Sequence, residues 1–150
     1  MTKKSKDQPD PVDLIESSDP LEFPAGLPGF EEHRQFILES QPDLRPFLWL
    51  RSINDSDVVF PVVSCSLLKQ QVAQQLKDSH LSLVGEESLD DVALYYILRV
   101  DPKQSIITVN TRAPVIISAK ALCGYQVILD RDDLRVDEPL ANLMPSPVEK

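Results

Sequence analysis

Apolar and polar residues alternate in short runs along most of this chain, and the runs are bounded by polar or proline-containing turns. "QFIL", "PFLWLRSI", "VVFPVVSC", "VALYYILRV", "SIITVN", "APVIISA" and "GYQVIL" each read as a strand of a few residues. "NDSD" and "DPKQ" have the length and polarity of hairpin turns. Pro61 has no N–H to give a ladder, so its strand is expected at an edge or with a bulge. One segment changes period. In "SLLKQQVAQQLKDSH", residues 66–80, Leu68, Val72 and Leu76 stand at i, i+4 and i+8, which predicts an amphipathic helix of about three turns.

Six or seven short strands with one inserted helix and no βαβ alternation predict a mainly β protein: a small antiparallel β-barrel-like single domain, closed to protect its strand edges. The expected division is a flexible tail over 1–19, a barrel domain over 20–141 and a second tail over 142–150. Both tails carry prolines and charges among few apolar residues and have no period. No apolar run approaches the roughly 20 residues that span a bilayer. The N-terminus has no apolar core of a secretory signal, so a cytoplasmic protein without a membrane partner is expected.

The net charge of −9 repels phosphate backbones, and no basic stripe interleaved with aromatics is present. Direct nucleic-acid binding is not expected, and a basic protein partner is favoured electrostatically. Cys65 and Cys123 sit in apolar strand contexts and are expected as free thiols.

Candidate chemistry is sparse. HExxH, CxxC, GxSxG and P-loop patterns are absent, so no catalytic, cofactor or metal residues are assigned and enzymatic activity is not expected. His33 falls in a polar loop, and His80 is expected at a helix C-terminus, where a positive charge is favourable. "GEESLDD" lacks calcium-loop spacing and reads as a solvated acidic connection, and Asp101, Asp130, Asp132 and Asp133 read as turn carboxylates. Neighbours on a strand face opposite ways, so one of Tyr95 and Tyr96 is expected inside and the other outside. Trp49 divides in the same way between core and surface. An outward aromatic is a binding candidate.

"TVNTRAPVIIS", residues 108–118, joins two strands through a polar, proline-stiffened corner without glycine. Asn110 is expected to satisfy backbone groups where the ladder breaks, and Pro114 to fix the direction of the next strand. Arg112, two residues after Asn110, is expected on the same face, where its donors can reach a partner's carboxylates or carbonyls.

"FPAGLPGFEEHRQFIL", "PFLWLRSINDSDVVFPVV", "ITVNTRAPVIIS" and "GYQVIL" occur in this order over residues 21 to 129. Together they resemble the bacterial flagellar assembly factor FliW family. The chain departs from the usual pattern at Thr111, where the family has leucine, at "SCS", where it has an acidic-proline step, and at Ser118, where it commonly has asparagine. The resemblance implies a non-enzymatic barrel protein without cofactors, acting as a chaperone-like regulator of translation. Its implied partners are flagellin and the translational regulator CsrA. Flagellin export frees the FliW protein to capture CsrA and so relieves repression of flagellin mRNA. Arg112, Phe30 and Tyr95 are the candidate partner-binding residues, and the free protein is expected to be monomeric. A small-ligand-binding barrel is the alternative.

Overall fold

Period-two patterning becomes strand nearly everywhere it occurs. The computed structural model describes residues 19–69 and 75–145. Its strands are β1 (Leu21–Glu22), β2 (Gln35–Ser40), β3 (Leu48–Ser52), β4 (Val59–Ser64), β5 (Ala93–Asp101), β6 (Ile106–Val109), β7 (Val115–Ser118), β8 (Cys123–Gln126) and β9 (Glu138–Pro139). Seven of them close a ring in the order β4-β3-β2-β1-β8-β7-β5, with β5 returning to β4. All neighbours in the ring are antiparallel except β1 and β8, which run parallel at Glu22 and Cys123. β6 and β9 extend the sheet beyond the ring from the second half of β5.

Pro61 marks the place where ring and extension part. It stands opposite Trp49 of β3, whereas pairing between β4 and β5 begins one residue later, at Val62 and Ile97. β4 is therefore an inner strand over Val62–Ser64, and its proline lies outside the β5 ladder, where no N–H is required.

Strand alternation sorts the apolar residues into two cores. Leu21, Phe23, Phe36, Leu38, Leu50, Val62, Tyr95, Val115 and Ile117 fill the inside of the ring. Phe23 and Phe36 meet there edge to face at 5.2 Å. The second core lies on the outer face of β4, β5 and β7. Val63, Tyr96, Leu98 and Ile116 are covered there by Cys65, Leu68, Val84, Val127, Leu129, Leu134 and Leu140. On β5 the assignment alternates without a break, with residues 93, 95 and 97 facing in and 94, 96 and 98 facing the second core. Tyr95 and Tyr96 do point opposite ways, but both are buried, at 1% and 0% exposure. The outward aromatic expected from this pair does not exist, because β5 is covered on both faces. Trp49 is half-buried on the outer face of β3, between Glu39 and Pro61.

The inserted helix is shorter and later than its period predicts. α1 spans Asp78–Ser82, while Cys65–Leu67 form a 3-10 turn capped by the Ser64 hydroxyl. Leu68 and Lys77 both have extended backbones. Among the described residues, then, the three-turn helix over 66–80 is not continuous, and Val72 lies outside them. Leu68 and Leu76 still pack on the second core, which accounts for their apolar character. His80 is the middle residue of the five-residue α1, so it stands in the last turn as expected while its Nδ1 also accepts the Lys77 N–H at the helix start. At the other end Gly85 N–H donates to Ser82 and Glu86 N–H to Leu81, a Schellman closure.

Most of the two predicted tails falls outside the described residues. Asn142 and Leu143, assigned to the second tail, instead close a 3-10 turn, and Leu143 packs on the second core and accepts the Lys69 N–H.

Cys65 and Cys123 are both free thiols, the first buried and the second half-buried. Burial pushes the Cys65 thiol far above its ordinary value, and Tyr96 rises through burial and then through the neighbouring Cys65. The folded chain thus holds protons that the unfolded chain releases above about pH 9. Stability is full below that pH and falls as pH rises, by up to about 1.4 kcal/mol per pH unit for each such group. Urea unfolding between pH 7 and 11 is expected to show this decline, shallower in Cys65→Ala; an identical slope in that variant rules the thiol out as a source.

Candidate functional site

Residues 110–114 form a turn rather than continued strand, so Asn110 and Arg112 are not related by strand alternation. The Asn110 side chain accepts the Arg112 N–H at 3.1 Å, an Asx turn that gives the interrupted ladder a local partner. Thr111 is buried, and its hydroxyl donates to the Arg135 carbonyl at 2.8 Å while accepting the Arg135 N–H at 3.2 Å. The Arg112 and Pro114 carbonyls accept from Leu129 and Val127. The corner is therefore stitched to residues 127–135, whose Val127, Leu129 and Leu134 cover the second core.

Arg112 itself is half-buried. Its Nε is buried with no hydrogen-bond partner among the described residues, and its Nη2 lies 3.9 Å from the fully exposed carboxylate of Asp132. Arg131 beside it binds Asp133 at 2.6 Å and holds that carboxyl below its usual range, chiefly by this hydrogen bond. An exposed ion pair such as Arg112–Asp132 contributes little, so the Arg112 guanidinium stays available to a partner. Asn110→Ala is expected to cost about 1 to 2 kcal/mol, because the Arg112 N–H loses its acceptor. Arg112→Ala is expected within about 0.5 kcal/mol of the parent. Thermal melts of the two variants check this ordering, which equal melting temperatures would contradict.

Phe30 is held out by consecutive turns. In "LPGF" the Phe30 N–H donates to Leu27 O at 2.7 Å, with Pro28 at the second position and Gly29 at φ 85° in the third, a type II turn. Preceding and following turns close at Phe23–Gly26 and Phe30–His33. Phe30 is 37% exposed, and the centre of its ring lies 5.2 Å from that of Phe60, nearly perpendicular to it, and 6.1 Å from that of His33. His33 is anchored through Nδ1 to the Ser52 hydroxyl at 2.9 Å.

The three sequence-derived binding candidates thus occupy three different environments. Phe30 presents a partly exposed aromatic ring, Arg112 a side chain one-third exposed, and Tyr95 lies in the interior, where burial withdraws it from any surface. One polar contact escaped the sequence reading altogether. Glu86, expected in solvent, is 8% exposed and accepts the hydroxyl of fully buried Ser118 at 2.5 Å. The serine oxygen also accepts the Ala121 N–H. Among the described residues no group of His, Cys, Asp or Glu is arranged to hold a metal ion, and no helix is long and apolar enough to cross a membrane.

A ring of seven strands with a β5–β6 extension and an "NTRAP" corner can be compared with known proteins. The family model described as FliW protein matches residues 11–140. The chain belongs to the FliW family. The flagellar assembly factor FliW of Caldanaerobacter subterraneus subsp. tengcongensis is 30% identical over 123 residues, 81% of this chain and 82% of that protein. The namesake from Syntrophus aciditrophicus is 33% identical over 116 residues, 77% of this chain and 73% of its own. A crystal structure of the flagellar assembly factor FliW superposes with a TM-score of 0.70 at 31% identity, covering 89% of this chain and 91% of the other. Within this FliW frame, each departure noted in the sequence has a local partner. Thr111 ties to Arg135, Ser64 of "SCS" caps the 3-10 turn, Cys65 fills the second core, and Ser118 binds Glu86.

Proposed function

We propose that this chain is a non-enzymatic, cytoplasmic protein-binding regulator of flagellar assembly that binds flagellin and CsrA and, by sequestering CsrA, relieves repression of flagellin translation. Membership of the FliW family, matched over residues 11–140, is the observation that carries this reading. The acidic balance of −9 supports a basic, RNA-binding partner through complementary charge and faster encounter. Phe30, partly exposed and braced by Phe60, and Arg112, with a third of its side chain exposed, supply the anchor chemistry that recurs in hot spots. The alternative of a small-ligand barrel is disfavoured by the filled interior, where Phe23, Phe36, Tyr95 and their aliphatic neighbours leave the ring core to side chains. We also assign residues 20–141 to the binding domain.

Titration calorimetry of the purified full chain against flagellin and CsrA tests the proposal. Complexes are expected with each at micromolar concentration without nucleotide or metal, with flagellin displacing CsrA. Absence of heat and of complex with both proteins would reject it. Phe30→Ala and Arg112→Ala are each expected to weaken one partner by more than about 1 kcal/mol if they are hot spots. Parental affinities in both variants remove these residues from the binding surface.

A further inference from the structure

In a chain of net charge −9, one concave surface outside the ring gathers three cations beside two carboxylates. Cross-strand pairs place Arg99 opposite Thr108 and Asp101 opposite Ile106 on one face of the β5–β6 hairpin, with Val100 opposite Ile107 on the other. Residues 135–139 run alongside, and β9 pairs with Thr108 and Val109. Between hairpin and segment lies a cavity of about 470 Å³ whose charged lining is Arg99, Asp101, Lys103, Arg135 and Asp137. A space of this size is in the range of sites that enclose a ligand of several heavy atoms.

These charges are not equally engaged. Arg135 is bound by Asp137 at 3.3 Å. One oxygen of Asp101 accepts the Lys103 and Gln104 N–H groups of its own turn, at 3.0 and 3.4 Å. Arg99 and Lys103 are exposed, and among the described residues neither has a carboxylate within ion-pair distance. In a chain of net charge −9, two unengaged cations meet over one concave surface.

We propose that this cavity binds an acidic, extended peptide segment of a partner protein, with a side-chain carboxylate seated between Arg99 and Lys103. The guanidinium of Arg99 offers a planar pair of donors suited to a carboxylate, and Lys103 adds a mobile point charge. A peptide fits better than a phosphate dianion for two reasons. Asp101 and Asp137 share the lining, so a doubly charged ligand meets repulsion that a carboxylate meets less, and the same two groups accept peptide N–H. In addition, β9 pairs only with Thr108 and Val109, and among the described residues no strand pairs with the outer edge of β6 at Ile106 and Ile107. An extended segment can continue the sheet where β9 stops, its backbone giving affinity and its carboxylate giving selectivity. This inference is independent of the partner assignment above.

The test uses amide-resolved NMR of the full-length, isotopically labelled chain. Three probes are titrated separately: the acetylated, amidated peptide Thr-Val-Glu-Val-Thr, the same peptide with Gln for Glu, and inorganic phosphate. The Glu peptide is expected to move resonances of residues 99–108 and 135–139 with an apparent Kd at or below about 1 mM, weakening with salt. The Gln peptide and the Arg99→Gln/Lys103→Gln variant are each expected to bind at least roughly tenfold more weakly. Both substituted positions are exposed, and the variant's unperturbed remaining resonances check its fold. Equal response to the two peptides, no response to either, or an unchanged affinity in the variant overturns the proposal. Phosphate binding as tightly as the Glu peptide overturns it in favour of a small-oxyanion site.

Discussion

Gly124→Ala is expected to destabilise the protein by about 3 kcal/mol, near the upper end of the usual overpacking cost. A Cβ at Gly124 would overlap Phe23 Cζ, and two further ring carbons would stand at 2.7 and 2.8 Å. Phe23 has nowhere to retreat. Its ring is fully buried inside the barrel and is fixed edge to face against Phe36. β8 backs that contact directly, pairing with β7 along its length and with β1 at Cys123. Urea unfolding measures the effect. The double variant Gly124→Ala/Phe23→Leu should be less destabilised than the two single changes summed, because the smaller side chain yields the space. A Gly124→Ala protein unfolding at the parental midpoint would mean that the ring and the strand are not in this contact.

Ser118→Ala is expected to cost about 2 to 3 kcal/mol, although it removes a single oxygen. That oxygen donates to the Glu86 carboxylate and accepts the Ala121 N–H; without it the buried carboxylate loses its partner in a place with little access to water, whereas exposed Ala121 can turn its N–H to solvent. Glu86→Gln is expected to cost less, since an amide oxygen still accepts the serine proton. Glu86→Ala combined with Ser118→Ala should be milder than the sum of the two, because neither partner is then left alone. Additive costs, or a Ser118→Ala protein within about 0.5 kcal/mol of the parent, would show that the pair contributes no coupling.

Most of the strands were legible because period two is a local property. β2, β3, β4 and β6 through β8 lie where alternation and turn residues put them, and "LPGF" announces its type II turn through Pro28 and Gly29. β5 was legible as a strand but not as a strand with two cores. Its residues are apolar on both faces, and only the ring closure and the segments laid over its outer side reveal why. The Tyr95–Tyr96 pair was misjudged for the same reason. The helical period over Leu68, Val72 and Leu76 misled because apolar residues spaced by four also suit an irregular segment that dips repeatedly onto an outer core. Glu86 was illegible in principle: an acid in "GEESLDD" reveals nothing about a serine 32 positions later. The family was recognisable from four motifs in order, whereas the Arg99–Lys103 cavity needs β5, β6 and residues 135–139 in space before its charges meet.

The parallel contact of β1 with β8 has a kinetic consequence. Every antiparallel neighbour in the ring except the β1–β2, β4–β5 and β5–β7 pairs is joined by a short connection, so hairpins can assemble early and locally. The β1–β8 seam instead joins residue 22 to residue 123 through a two-residue strand. Closing so long a loop costs entropy that grows only as the logarithm of its length, but almost no hydrogen bonding within β1 offsets it beforehand. Ring closure is therefore expected as the late event of folding, with β7 and β8 already paired to receive Glu22. In native-state hydrogen exchange the same seam is expected to open before the β2–β3–β4 meander, and uniform protection across both would contradict this order.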